Sequence, residues 1–358
     1  RDGTVGERNA VRCGAIEHKM GIHGSATCVM NFDGAEGYLV GQPHKGLQAM
    51  FVMMNSARLG VGVQGLGLSE RAYQNALRYA RERLQSRALS GPKYPDKPAD
   101  PLIVQPDVRR MLLTQKALIE GGRLLSMHAY SLLDVAEKAG DAGEREHAET
   151  LVSWLTPISK ACLTEWSIEN TYNALQCFGG HGYIHEHGME QYARDARITT
   201  LYEGTTGIQS LDLIGRKTAA TQGAGLKLFL AEVETFAKQH EGDAALAEFI
   251  APLRAKCGEW GKLTQDVLQR ASANPEELGA ASTDYLLYSG YVVLAYWWAR
   301  SVAAANASDR PQAFKDAKRD TARFYFARVL PRTLAHKAVI DAGADPLMAL
   351  PDAGFGPQ

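Results

Sequence analysis

The chain has 358 residues, of which 45% are hydrophobic and 22% are charged, and its formal net charge is −1. This composition is typical of a globular protein with two or three domains. The near-zero net charge does not favour a nucleic acid or an anionic membrane surface as a partner. Five cysteines without a CxxC pair predict free thiols in a reducing, cytoplasmic compartment rather than a disulfide framework.

Only the first forty residues carry a β pattern. The runs VRCGAIEH and TCVMNF are short, partly β-branched and bounded by glycines or polar residues, which predicts two or three strands. So few strands cannot enclose a core of their own.

From Gly46 onward the spacing of apolar residues is helical. It predicts one long helix to about residue 85, in which Gly60, Gly62, Gly65 and Gly67 permit the close approach of another helix or of a ligand. The segment 90–106 contains five prolines and is predicted to be an extended connection.

Beyond this connection the pattern predicts a series of helices. Asp107 resembles the N-cap of the first of them. The paired glycines of FGGHGY end the second, and the small polar segment 215–225 resembles a domain boundary. The predicted helices are 107–138, 144–177, 189–202, 206–216, 226–240, 244–272, 276–306 and 312–342.

The most apolar run is YLLYSGYVVLAYWWA, residues 285–299. It is shorter than a membrane span and contains several tyrosines and a glycine, so it predicts a buried helix. No signal peptide is visible, and we expect no stable membrane insertion. The predicted fold class is mainly α: a small β part, an antiparallel bundle of long helices and a second helical domain.

On pattern alone, three groups of residues are candidates for a chemical site. His181, His185 and His187 are too loosely spaced on a glycine-rich loop to predict a metal site, so none is expected. The cysteines, including Cys162 and Cys177 on apolar helix faces, are expected to be structural. The run GGHG follows a helix rather than a strand, which excludes a Rossmann turn or P-loop but leaves its N–H groups able to bind a phosphate.

The fourth candidate is Glu203 in the stretch LYEGTTGIQS. The pattern places it at the last turn of a helix, where the terminal carbonyls disfavour a carboxylate. Either the side chain points into water, or burial near Tyr202 raises its pKa into the range of a general base. In the second case the N–H of Glu203 or Gly204 could polarise a substrate carbonyl.

Several stretches together resemble one family, the acyl-CoA dehydrogenases. The stretches RDARITTLYEGTTGIQ and ALQCFGGHGY resemble the family's C-terminal signature and its glycine loop. The first long helix is also similar, with NSARLGVGVQGLG near its start and YARERLQ near its end. EHKMGIHGSAT resembles the last strands of the family's middle β domain.

The residues after about 217 resemble the extra helical domain of a subset of this family. That subset includes 3-methylmercaptopropionyl-CoA dehydrogenases and long bacterial fatty acyl-CoA dehydrogenases. The resemblance implies three parts: a remnant of the middle β domain (1–44), the C-terminal four-helix bundle (45–217) and the extra helical domain (218–358). It also implies that the family's N-terminal helical domain and most of its β domain are missing ahead of Arg1.

The resemblance implies a reaction as well. FAD accepts a hydride from the β-carbon of an acyl-CoA, a step of fatty acid β-oxidation, while a glutamate removes the α-proton to give the trans-2-enoyl-CoA. Glu203 matches that base, with Gly204 and Tyr202 beside the thioester and Arg58 on the substrate side or in a structural ion pair. The residues that match FAD contacts are Arg83, Gln176, Gly179, Gly180 and Thr205.

Because Arg83 and Gln176 match contacts to a neighbouring subunit's FAD, the resemblance implies a homodimer or tetramer. It implies an electron-transfer flavoprotein as the electron acceptor. Two alternatives stay open from the sequence: an acyl-CoA oxidase, and a helical dimerisation module without chemistry.

Overall fold

The computed structural model describes residues 3–356. Its β part is one antiparallel hairpin, β1 (Arg12–Ile16) and β2 (Cys28–Asn31), with an irregularity in register between Cys13 and Ala15. Every residue of both strands is exposed. The prediction of two or three strands without a core is confirmed.

Twelve α-helices make up most of the described chain. The bundle is formed by three long helices, α1 (Gly46–Glu82), α2 (Pro106–Lys138) and α3 (Ala142–Phe178). The short helices that follow are α4 (Gly180–Tyr183), α5 (Met189–Arg197) and α6 (Thr206–Leu211), the last continuing as a π-helical segment, Asp212–Ala219.

The C-terminal helices follow in order. They are α7 (Ala224–Gln239), α8 (Ala247–Ala273), α9 (Glu276–Ala307), α10 (Gln312–Phe324), α11 (Arg332–Ala342) and α12 (Asp345–Met348). A second π-helical segment, Tyr325–Val329, continues α10. Short 3-10 turns lie at Leu102–Val104, His185–His187, Ile198–Thr200 and Asp352–Phe355. The mainly α fold class is confirmed.

Helix α3 lies at the centre of the molecule, and glycines let other helices approach it. A Cβ at Gly65 of α1 would stand 2.9 Å from the carbonyl oxygen of Leu163, and one at Gly62 would stand 3.2 Å from that of Ser159. Gly60 and Gly67 have open space instead. Close helix packing therefore explains two of the four glycines that the sequence singled out.

The hydrophobic core runs without interruption from the bundle into the C-terminal helices. Trp154 and Leu163 of α3 belong to the same buried cluster as Trp260 of α8 and Trp298 of α9. The predicted division at residues 217 and 218 falls inside the π-helical segment. The division into domains stays a prediction.

Helix α9 contains the apolar run 285–299, and this run is almost entirely buried, as the sequence predicted. Over residues 3–356, the structure has no helix whose length and apolar character would suit a membrane span.

Several predicted helix ends are wrong. Asp107 is not an N-cap: α2 begins at Pro106, whose fixed φ suits the first helical position, and Asp107 pairs with Arg110 inside the first turn. The predicted helix 312–342 is broken at Pro331, which lacks the N–H that an uninterrupted helix needs. The helix predicted over 189–202 ends at Arg197 and gives way to a 3-10 turn.

Candidate active site

Residues 201–205 form a tight turn between the 3-10 turn and α6, and we call it the Glu203 turn. Its two central residues have left-handed backbone conformations, with φ of 56° at Glu203 and 90° at Gly204. The expectation that Glu203 occupies the last turn of a helix is therefore wrong. A left-handed non-glycine residue costs roughly 1–2 kcal/mol, so the surroundings must stabilise this turn.

Two buried side chains bind the carbonyl oxygens of the Glu203 turn. Lys160, in the middle of α3, donates from Nζ to the oxygen of Gly204 at 2.7 Å. Gln209, in α6, donates from Nε2 to the oxygen of Glu203 at 3.2 Å. Both residues are 0% exposed. These contacts fix the turn from its buried side.

The other side of the Glu203 turn keeps polar groups available. Within the described residues, the backbone N–H groups of Glu203, Gly204 and Thr205 donate to no protein acceptor. The Glu203 side chain is partly exposed. A carboxylate beside free amide donors can remove a proton from a carbon whose neighbouring carbonyl those donors polarise.

Thr205, the last residue of the Glu203 turn, and Thr206, which follows it, have structural contacts. Thr205 is exposed and caps α6, because its hydroxyl oxygen accepts from the N–H of Ile208 at 3.2 Å. Thr206 donates to Glu165 Oε1 at 2.5 Å. The cap and this bond set where α6 leaves the turn.

Tyr202 is half-buried, and its hydroxyl donates to Gln64 Oε1 on α1. Burial raises the pKa of Tyr202, so its hydroxyl stays protonated and acts as a donor. The bond joins the turn to α1. The predicted contact of Tyr202 with substrate stays a prediction.

Arg58 lies buried on α1 in an ion pair with Asp212, at 3.4 Å from Nη1 to Oδ2. Asp212 also accepts from Arg216 Nε at 2.7 Å. The Nε of Arg58 is buried and has no partner in the described part of the chain. The geometry favours the structural ion pair for Arg58, while the unpaired Nε leaves one donor for a ligand in the adjoining cavity of about 290 Å³.

Arg194 and Asp195, for which no separate role was predicted, attach the segment after β1 to α5. Asp195 Oδ1 accepts from the N–H of Ile22 at 2.5 Å, and Arg194 Nη1 donates to the carbonyl of Met20 at 2.8 Å. Gly21 is required between them, because a Cβ there would stand 2.9 Å from the Arg194 backbone.

A second candidate site, which we call the glycine–arginine pocket, lies about the ends of α1 and α3. Four predicted FAD contacts share this cavity of about 450 Å³: Arg83, Gln176, Gly179 and Gly180. Each of them is exposed. The fifth predicted contact, Thr205, lies in the Glu203 turn instead.

The donor set of this pocket suits a phosphate-bearing group. Arg83 is the C-cap of α1, and no carboxylate within residues 3–356 lies within 4 Å of its guanidinium. Gly179, with φ of 59°, and Gly180 both have open space where a Cβ would stand. An unpaired guanidinium beside accessible backbone is a suitable set of donors for a pyrophosphate.

The sequence missed the aromatic wall of this pocket. Tyr79 stacks on Phe178 at 4.1 Å between ring centroids, and its hydroxyl lies 2.7 Å from Nδ1 of His181. The spacing of Tyr79 and Arg83, one helical turn apart, was the available signal.

The remaining histidines and cysteines do not converge. His181 stacks on His187, and His185 pairs with Glu190. Over the described residues no group of three or more His, Cys, Asp or Glu is placed to bind a metal ion. Burial raises the pKa of Cys177 to about 12, so it stays a neutral thiol in the core, as expected.

Two parts of the chain match known protein families. Residues 44–218 match the family described as "Acyl-CoA dehydrogenase, C-terminal domain", and residues 229–351 match "Acetyl-CoA dehydrogenase C-terminal like".

Curated relatives agree with these matches. The 3-methylmercaptopropionyl-CoA dehydrogenase of Ruegeria pomeroyi is 38% identical over 97% of this chain and 59% of its own length. A butyryl-CoA dehydrogenase of Syntrophomonas wolfei is 33% identical over 96% of this chain and 58% of its own length. The chain thus spans somewhat more than half the length of these relatives.

A solved structure shares the fold. The crystal structure of an acyl-CoA dehydrogenase complexed with FAD from Bacillus anthracis matches with a TM-score of 0.71 and 19% identity, over 97% of this chain and 58% of that one. By its two matched C-terminal domains, the chain belongs to the acyl-CoA dehydrogenase family, in the subset with an additional C-terminal helical domain.

Proposed function

We propose that this chain takes part in the FAD-dependent α,β-dehydrogenation of an acyl-CoA thioester to a trans-2-enoyl-CoA, with Glu203 as the base that removes the α-proton. A bound flavin would supply the hydride acceptor. The observation that carries the proposal is the Glu203 turn, which offers a carboxylate and free amide donors together on its open side.

The chemistry follows from what the turn can bind. The α-proton of a thioester is weakly acidic, and hydrogen bonds to the thioester oxygen lower its pKa by stabilising the enolate-like transition state. The N–H of Glu203 or Gly204 would donate that bond, and the Glu203 carboxylate would accept the proton.

The other predicted residues would bind and orient. Gly204, Tyr202 and Arg58 would contact the substrate, and Thr205 would contact the flavin. In the glycine–arginine pocket, Arg83, Gln176, Gly179 and Gly180 would bind the dinucleotide part of an FAD carried by a neighbouring copy. A homodimer or tetramer follows from that shared site.

We propose an electron-transfer flavoprotein as the electron acceptor, fatty acid β-oxidation as the process and the cytoplasm as the compartment. The names of the relatives support straight acyl or 3-methylmercaptopropionyl thioesters as substrates. We retain the division into 1–44, 45–217 and 218–358 as a prediction.

The experiment adds excess FAD to the purified chain, records the visible spectrum and then adds butyryl-CoA without oxygen. We expect a flavin band that bleaches. Glu203→Gln should bind the same flavin but bleach about 10³-fold more slowly, because an amide cannot accept the proton. Glu146→Gln, an exposed change at the start of α3, is the matched control and should bleach normally.

Three results would contradict the proposal or redirect it. Equal bleaching in Glu203→Gln and the parent would exclude Glu203 as the base. Rapid oxygen consumption after reduction would indicate an acyl-CoA oxidase. Absence of bound flavin and of acyl-CoA binding would favour the helical dimerisation module.

A further inference from the structure

Lys160 is the only charged residue between Glu149 and Glu165, in the middle of the central helix. It is 0% exposed, although lysine is rarely buried without a partner. Within residues 3–356, no carboxylate lies within 4 Å of its Nζ. The resolved partner of the ammonium is instead the carbonyl oxygen of Gly204, at 2.7 Å.

The surroundings of Lys160 lower its pKa and enclose its side chain. The pKa of Lys160 is lowered to about 8: burial is the largest cause and the nearby charge of Arg58 adds to it, while the charges of Glu165 and Glu203 oppose the shift. Gly62 and Gly65 bring α1 against the α3 backbone at Ser159 and Leu163, on either side of Lys160. The side chain therefore lies in a closed space in the protein interior.

The bond fixes one peptide plane of the Glu203 turn. In a trans peptide the C=O and N–H groups point in opposite directions. When the carbonyl of Gly204 points to Lys160, the N–H of Thr205 points away from it. Gln209 fixes the preceding peptide plane, Glu203–Gly204, in the same way. Its bond to the carbonyl of Glu203 directs the N–H of Gly204 away from Gln209.

We propose that Lys160 is a positioning residue: it fixes the Gly204–Thr205 peptide plane from behind, so that Gly204, whose N–H is the proposed donor to the thioester, is held between this plane and the plane bound by Gln209. The inference rests on the proposed function, since it assigns a support to the site that would carry out the reaction. Lys160 lies outside the sequence motif of the turn, so that motif alone does not identify it.

The test measures amide hydrogen exchange of the whole chain without flavin or substrate. In Lys160→Met we expect the amides of Ile208 and Gln209, which donate to the hydroxyl and the carbonyl of Thr205, to exchange about tenfold faster, because the turn that positions Thr205 loses a charge-assisted hydrogen bond. Exchange in α1 and α2 should not change. Lys160→Arg, which keeps a charged donor, should restore most of the protection.

Lys217→Met is the matched control. Lys217 also donates to a group on α3, Ser153 Oγ at 2.6 Å, but does not contact the Glu203 turn. We expect unchanged exchange at the amides of Ile208 and Gln209 in this variant. The same three variants are then compared for flavin bleaching by butyryl-CoA, where Lys160→Met should lower the limiting rate more than the apparent affinity.

Two results would overturn the inference. Unchanged exchange at the amides of Ile208 and Gln209 in Lys160→Met would mean that the bond does not fix the turn. Loss of helical circular dichroism in both Lys160→Met and Lys160→Gln would mean that Lys160 supports the bundle rather than the turn. Because exchange needs neither flavin nor thioester, it separates this inference from the proposed function, which Glu203→Gln tests.

Discussion

The Glu203 turn and the glycine–arginine pocket are both candidate sites, yet they are stabilised in different ways. The turn is bound from behind by two fully buried side chains, Lys160 and Gln209. In the pocket, Arg83 and Gln176 are exposed, and Gly179 and Gly180 face open space. One site has its support inside the chain, and the other presents its groups outward.

The two kinds of support imply that the two sites differ in how much they must reorganise before they act. A turn whose peptide planes are already fixed has little reorganisation left when charge develops on a substrate, which is the requirement for electrostatic catalysis. A pocket of exposed groups gains order only when a ligand arrives, so its ligand should stabilise the protein. Substitutions should therefore change folding in the turn and binding in the pocket.

The largest effect on folding is expected from Gly204→Ala. The residue has φ of 90°, which alanine adopts poorly, and its Cβ would meet the side chain of Gln209. We expect a loss of about 3 kcal/mol in the free energy of unfolding, measured with urea. Gly180→Ala, with open space at its Cβ, should stay within about 0.5 kcal/mol. Equal losses of stability in the two variants would mean that the backbone of the Glu203 turn is no more constrained than that of the pocket.

Arg83→Ala should show the opposite behaviour. We expect the free energy of unfolding to stay within about 0.5 kcal/mol, because the side chain is exposed. The Kd for FAD, measured by calorimetry, should rise about 30-fold, since a charged donor to phosphate is lost. Arg81→Ala, on another side of the same helix end, is the control and should leave that Kd unchanged.

The sequence predicted the fold better than it predicted the backbone of the site. The 3.6-residue period gave α1, α3 and α9 to within a few residues, because long apolar periods are decided locally. It placed Glu203 on a helix, because the pattern does not reveal that the chain leaves helical geometry after Arg197. The left-handed conformation of Glu203 depends on contacts from α3 and α6, which lie far along the chain or beyond the turn.

The same limit applies to individual residues. Arg83, Gln176, Gly179 and Gly180 were predicted from two separate stretches, and the fold brings them to one cavity. Lys160 was missed, although a single lysine in an uncharged run of α3 is a signal of a buried charge. Its partner could not be predicted, because a backbone carbonyl carries no sequence signature.

The pH dependence of stability tests the buried state of Lys160. Its pKa is about 8 in the folded chain and about 10.5 unfolded, so between these values the unfolded state binds more protons. The free energy of unfolding of the parent, minus that of Lys160→Met, should therefore rise with pH from 8 to 10.5, by about 2 kcal/mol. Urea unfolding at pH 7.5, 9 and 10 measures it. A constant difference would mean that the ammonium is hydrated.

The smallest effect on folding is expected from Gln209→Leu. This change removes the bond to the carbonyl of Glu203, but it also removes a buried Oε1 that has no partner in the described structure. The two terms oppose each other, so the free energy of unfolding should fall by about 1 kcal/mol or less.

Gln115→Leu is the matched control for that change. Gln115 is equally buried, donates Nε2 to the carbonyl of Met111 at 3.1 Å, and also leaves Oε1 unpaired within the described residues. Both variants should therefore lose similar stability. Only Gln209→Leu should speed hydrogen exchange at the N–H of Ile208, whose acceptor is the hydroxyl of Thr205 at the end of the turn, because, of the two glutamines, only Gln209 binds the turn. Faster exchange there in both variants would mean that the turn follows the stability of the whole bundle and has no local support of its own.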